Sequence, residues 1–187
     1  MITTTLKLEN YTEEVIERNG KFYKYIHPVF KENDEVTVFE LSFDTYPTEE
    51  MIENYKNSHI KLHKRILLSK IEEYDKSENV REFIFNDSPT WILVDLRNNM
   101  KSAIQDAITL KASTITLGIN GTPYTFEVEK AKLMFAYIEQ YALAVNNNTL
   151  NHINTVNQLD DFDAIVEYDY TKNYPEKVAF DINGNLL

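Results

Sequence analysis

Cysteine is absent from this chain, which excludes disulfides and thiolate metal sites and fits a reducing compartment. Glycine is scarce, with 4 in 187 residues, so long flexible linkers are not expected. Neither a Gly-x-x-x-x-Gly-Lys loop, a Gly-x-Gly-x-x-Gly turn nor a Gly-x-Ser-x-Gly elbow occurs. No apolar run approaches the ~18 residues that span a membrane. No N-terminal stretch joins a basic region, an apolar core and a small-residue cleavage site. Positive charge is thin as well. Residues 1–113 hold 15 Lys/Arg against 20 Asp/Glu, and residues 114–187 hold 4 against 10, with no arginine in the second stretch. The net charge of −11 argues against direct nucleic-acid binding, which needs clustered Lys/Arg to displace counterions from phosphates. One modest basic cluster, Lys61-Leu62-His63-Lys64-Arg65, reads as a solvated helix face.

Apolar and aromatic residues are plentiful. Hydrophobic residues make up 43%, including 10 Phe and 12 Tyr, enough to bury a sizeable core. The clearest local signal runs from Ser113 to Val145. Ile115, Leu117 and Ile119 alternate onto one face, and Tyr124, Phe126 and Val128 do the same. Asn120-Gly121 between them predicts a hairpin, because a tight turn needs φ > 0 at both central residues. The period then becomes helical through Leu133, Met134, Tyr137, Ile138, Tyr141, Ala142 and Val145. Asn146-Asn147-Asn148 predicts a kink or break, with Asn148 or Thr149 as a new cap. Leu150, Ile153, Val156 and Leu159 then resume helical spacing.

Upstream, residues 2–10 suit a short strand, and residues 11–17 suit helix, strand or arm. Asn19-Gly20 marks a turn into a strand over Lys21–Phe30, with Pro28 at an edge or end. Val36–Phe43 is a second strand whose better core face is Phe39, Leu41 and Phe43. Thr48 is a plausible N-cap for a helix from Glu49 to about Tyr74. Val80–Asn86 fits either helix or strand. Asp87-Ser88-Pro89 reads as the start of a helix over Thr90–Ala112, burying Trp91, Leu93, Leu96, Met100, Ile104 and Ile108. Asp160 or Asp161 should cap a short helix ending near Tyr168, and a strand is expected over Val178–Ile182. The expected fold class is α+β, with antiparallel hairpins packed against several amphipathic helices and a C-terminal hairpin–helix unit. Two lobes are expected, residues 1–85 and 86–187.

Candidate chemistry is sparse. His59 and His63, at i and i+4, can face one metal. Lys61, Lys64 and Arg65 oppose a cation, so the structural reading is preferred. Asp160, Asp161, Asp163, Glu167 and Asp169 lack the spacing and glycine of a calcium loop and read as carboxylates near a helix N-terminus. His27 is isolated, and His152 reads as a surface or interface residue. Tyr168, Tyr170 and Tyr174 fit either the closing of the core or a contact with a partner. No catalytic residue, cofactor or metal is predicted. The interface candidates are Asn120 and Gly121 at the hairpin tip, Tyr168, Tyr170 and Tyr174 in the tail, and Phe22, Tyr23 and Tyr25 in the first hairpin.

The C-terminal half combines a Trp-containing helix, an Asn-Gly hairpin, a helix bearing Glu139-x-Tyr141-Ala142 and a Thr149-x-x-His152 step. It ends in Tyr168-Asp169-Tyr170-Thr171-x-x-Tyr174-Pro175-Glu176. This pattern resembles an uncharacterised family of tail-region proteins of phages and prophages of gut bacteria. About 95 residues carry the likeness well, and the first 85 carry it loosely. Asn173 stands where the family pattern has glycine. The resemblance implies a non-enzymatic virion component of the tail, collar or neck ring. Such a protein is made in the bacterial cytoplasm, contacts other virion proteins and forms a homo-oligomer, with no membrane or direct nucleic-acid partner. It transfers no catalytic residues. A transient tail or fibre assembly factor, and a small acidic enzyme or inhibitor, are the rival readings.

Overall fold

Three Asn-Gly pairs punctuate the chain, and two of them close hairpins. In the computed structural model, which describes residues 2–91 and 94–187, Asn19 and Gly20 adopt φ of 55° and 73° and Asn120 and Gly121 adopt 49° and 77°. Each pair sits between directly opposed residues, Arg18 with Lys21 and Ile119 with Thr122, as a two-residue turn of the type I′ kind requires. The fold is α+β, with antiparallel hairpins and five α-helices among the described residues. The chain forms two compact units.

The first unit comprises Met1–Arg65 and Leu159–Glu167. Its sheet is built from β1 (Ile2–Lys7), β2 (Ile16–Arg18), β3 (Lys21–Lys31) and β4 (Glu35–Phe43), in the order β1-β4-β3-β2 and antiparallel throughout. Thr48 caps α1 (Glu49–Asp75) as expected, its hydroxyl accepting from the Met51 N–H at 3.2 Å. Both faces of β4 are buried, which one-face alternation does not foresee. Val36 and Val38 pack with Tyr25, Leu6, Tyr11 and Ile16 on one side. On the other, Leu41 and Phe43 are buried and Phe39 meets His63 edge-on at 5.3 Å. Pro28 does not end β3. The strand bulges between Ile26 and Val29, with His27 at φ 50°. The short α5 (Phe162–Val166) is capped by Asp161, which accepts from the Ala164 N–H, and it buries Phe162 against His27, Phe39 and His63.

The second unit comprises Ile66–Gln158 and Tyr168–Leu187. It holds the rest of α1, then α2 (Glu78–Arg81), β5 (Phe83–Phe85), β6 (Ser88–Thr90), α3 (Val94–Thr109), β7 (Thr114–Ile119), β8 (Thr122–Glu127), α4 (Val128–Gln158) and β9 (Ala179–Phe180). The core joins Phe83, Phe85, Phe126, Met134, Phe135, Ile138 and Phe180 with Met100, Ile104, Leu117 and Ile119.

Four expectations are corrected here. Asp87-Ser88-Pro89 opens no helix. Asn86 and Asp87 both adopt left-handed φ, 48° and 59°, and turn β5 into β6 as a hairpin without glycine. Trp91 and Leu96 are exposed, α3 is described over Val94–Thr109, and Leu93 lies outside the described residues. A division after residue 85 does not hold, because β5 and β6 pair across it. The unit boundary falls within α1, and residues 159–167 belong to the first unit. The three asparagines do not break α4, which runs unbroken over 31 residues. Tyr141, Val145, Thr149, His152 and Val156 continue one buried stripe through them, and this burial outweighs the weak intrinsic preference against helix. Leu133 and Leu150 lie outside that stripe and are exposed.

Candidate functional site

The tail motif is gathered onto α4, and the gathering is made by polar contacts within the second unit. His152 is 5% exposed, not a surface residue as its sequence setting suggests. Its Nε2 faces the Lys172 carbonyl at 2.9 Å, and a carbonyl only accepts, so that nitrogen carries the proton. Nδ1 then accepts from the Tyr168 hydroxyl at 2.7 Å. The ring stacks on Tyr174, with centroids 5.4 Å apart.

One turn earlier on α4, the Thr149 hydroxyl donates to Asp75 Oδ1 at 2.7 Å and lies 3.0 Å from the Tyr174 hydroxyl. Asp75, at the end of α1, is also paired with Arg81 of α2. Tyr141 donates to the Val80 carbonyl at 3.0 Å. Burial pushes the Tyr141 and Tyr174 phenols up, for Tyr174 against the opposing pull of the Thr149 hydroxyl, so both remain donors at neutral pH. The tail itself is shaped by two local devices. Asp169 accepts from the Thr171 hydroxyl at 2.6 Å and from the Thr171 N–H at 3.0 Å. These bonds, with Lys172 beside them, hold its carboxyl down to about 2. Asn173 adopts φ 65°, a left-handed turn that asparagine tolerates without glycine, and its carbonyl accepts from Asn148.

The sequence candidates are dispersed by these contacts. Tyr168 and Tyr174 face this network, Tyr170 packs edge-on against Tyr74 at 5.8 Å, and all three are half-buried. Asn120 donates to Thr90 Oγ1 at 3.0 Å, which ties the hairpin tip to β6, whereas Gly121 is exposed. In the first unit Tyr25 is buried. Phe22 meets Tyr46 edge-on at 5.6 Å, and Tyr23 lies under the Arg18 guanidinium at 4.3 Å. Asp75, Arg81 and Val80 belong to the network and were not singled out by the sequence. Thr149 stood out in the sequence through the Thr-x-x-His step and as a candidate cap, and the structure makes it a buried residue inside α4 instead.

Comparison with protein-family models, with curated proteins and with solved structures finds no match. The chemistry of the arrangement is therefore read from its own contacts. Thr149 faces a carboxylate directly, without an intervening imidazole, and His152 spends both nitrogens on the tail. A cavity of about 30 Å³ beside this network, lined by Val80, Arg81, Phe83, Arg97, Ile138 and Tyr141, has room for about one water. Among the described residues no group of three or more His, Asp or Glu is placed to hold a metal ion. His59 stacks on Tyr55 and bonds its carbonyl at 2.8 Å, and His63 packs on Phe39 and Phe162.

A second polar cluster lies within the first unit. Asp163 Oδ1 accepts from His27 Nε2 and Oδ2 from Lys56, both at 2.8 Å, fastening α5 to β3 and α1. Burial pushes the Asp163 carboxyl up, but the bonds and charges of Lys56 and His27 outweigh it and leave it below the ordinary value. This cluster, too, ties elements of the fold together.

Proposed function

We propose that this protein is a virion structural component of a phage, in the tail, collar or neck ring, acting through protein–protein contacts and not through catalysis. The reading rests on the likeness of the tail to the phage family. What supports it most is the use made of the motif residues: Tyr168, Tyr174, Thr149 and His152 spend their polar groups on one another and on the fold. A motif spent on architecture leaves outer surfaces as the working part. Those surfaces carry isolated large apolar residues, among them Val29 and Phe30 on β3 and Leu143 and Leu150 on α4. In this reading the chain assembles with other virion proteins and with copies of itself, and closed symmetric assembly is the usual outcome for identical subunits. Among the described residues no helix is long and apolar enough to cross a membrane.

Mass spectrometry of purified particles tests the proposal. The expected result is a stoichiometric virion component. Abundance in infected cells with absence from particles would overturn it in favour of a transient assembly factor.

A further inference from the structure

The sheet of the first unit ends in β2 on one side and in β1 on the other. The β2 side carries the devices that blunt an edge. β2 has three residues, and the part of β3 beyond it contains a bulge, Pro28 and the left-handed His27. β1 carries none of these over its six residues, and its one charge, Lys7, stands at its end. The strand pairs with β4 in unbroken register from Ile2–Glu40 to Lys7–Glu35. The Leu8 N–H continues that register, donating to the Asp34 carbonyl at 2.8 Å. Alternation then assigns the backbone groups of Ile2, Thr4 and Leu6 to β4 and turns those of Thr3, Thr5 and Lys7 outward.

We propose that β1 pairs antiparallel with β1 of a second copy of this chain, about a two-fold axis through Thr4. A two-fold normal to the sheet keeps each residue on its own face, and the β1 sequence satisfies that symmetry. Ile2 falls opposite Leu6, Thr3 opposite Thr5, and Thr4 opposite itself. Thr3 and Thr5, with outward backbone groups, form the hydrogen-bonded pair, once on each side of the axis. Ile2 and Leu6 form the closer, non-hydrogen-bonded pair. Ile2 is 67% exposed in the single chain, while Leu6 packs on the Tyr25–Val36–Val38 cluster. The partner's copy of Ile2 thus reaches the border of a core that ends at Leu6. At the axis Thr4 faces its own copy in a non-hydrogen-bonded pair, the setting in which the Thr5 and Thr37 hydroxyls of β1 and β4 already lie 3.1 Å apart. The interface is self-complementary, as a two-fold contact must be. It does not depend on the virion reading.

The test is light scattering and sedimentation of the full chain over a concentration series at about 0.15 M salt, which screens the charge of −11. The expected mass rises toward twice 21.9 kDa with concentration. Thr3→Pro removes one outward N–H and leaves the β1–β4 bonds in place. Ile2→Lys sets a charge against the partner's Leu6 but beside Glu40 of its own sheet. Each should weaken dimerisation about tenfold or more at unchanged melting temperature of the dilute protein. A monomer at every concentration overturns the proposal, as does a dimer indifferent to both variants. So does a monomeric chain in which Thr3→Pro abolishes binding of a different protein.

Discussion

His152 lies on Tyr174 with the ring planes 26° apart, and its Nε2–H is given to the Lys172 carbonyl 2.9 Å away. One buried side chain thereby fixes two points of the tail, and Tyr168 adds a third. Removing it strands the Tyr168 hydroxyl and a backbone carbonyl. His152→Ala should cost about 2–3 kcal/mol, measured by denaturant unfolding. Tyr170→Phe keeps its ring against Tyr74 and should stay within about 0.5 kcal/mol.

The Thr149 hydroxyl should matter more than its methyl group. Thr149→Val preserves shape but leaves Asp75 and Tyr174 without their shared partner. A loss of about 1–3 kcal/mol is expected, and Thr149→Ser should retain most of the stability. Equal melting temperatures for the two variants would contradict this assignment.

Two glycines with the same backbone angle should respond differently to a side chain. Gly121 has φ 77° and open space around it, so Gly121→Ala carries only the left-handed strain of about 1–2 kcal/mol. Gly184 has φ 80°, and a Cβ there would lie 3.3 Å from Phe126 and 3.5 Å from the Met134 sulfur. Gly184→Ala should therefore lower the melting temperature more than Gly121→Ala. Gly121→Val, bulkier at a position that resists β-branching, should also destabilise the second unit.

Acid should loosen the tail through Asp169. Its carboxyl is held near 2 by Thr171 and Lys172, below the value of about 3.9 in an unfolded chain. A depressed carboxyl contributes stability that is complete above the unfolded value and is lost as pH falls toward the folded one. Wild type should melt above Asp169→Asn at pH 5, and the gap should close between about pH 4 and pH 2. A gap independent of pH would mean that the aspartate acts by shape alone.

Local signals were legible wherever a short stretch decides its own geometry. Asn19-Gly20, Asn120-Gly121 and the Thr48 cap all appear where the sequence places them, and of the two aspartates offered as a cap for α5 it is Asp161 that serves. Tertiary packing decided the rest. The Asn86-Asp87 turn has no glycine to announce it, and it displaced the start of α3. The helix through Asn146–Asn148 persists because Val145, Thr149 and His152 are buried beside residues far away in sequence. His152 looks solvent-facing among polar neighbours, and only its partners in the tail explain its burial. The network was half visible: the tyrosines and the Thr-x-x-His step stood out, but Asp75 and Arg81, at the far end of α1 and in α2, gave no local sign.

The placement of Phe162 has a consequence for synthesis. This ring is 1% exposed and packs on His27, Phe39 and His63, yet it is joined to the chain after α4. The four strands of the first sheet leave the ribosome roughly a hundred residues before it does, a delay of about 5–20 seconds at ordinary elongation rates. During that interval Phe39 has His63 of α1 beside it but not Phe162, so the first unit completes its folding only after α4 and α5 have been made.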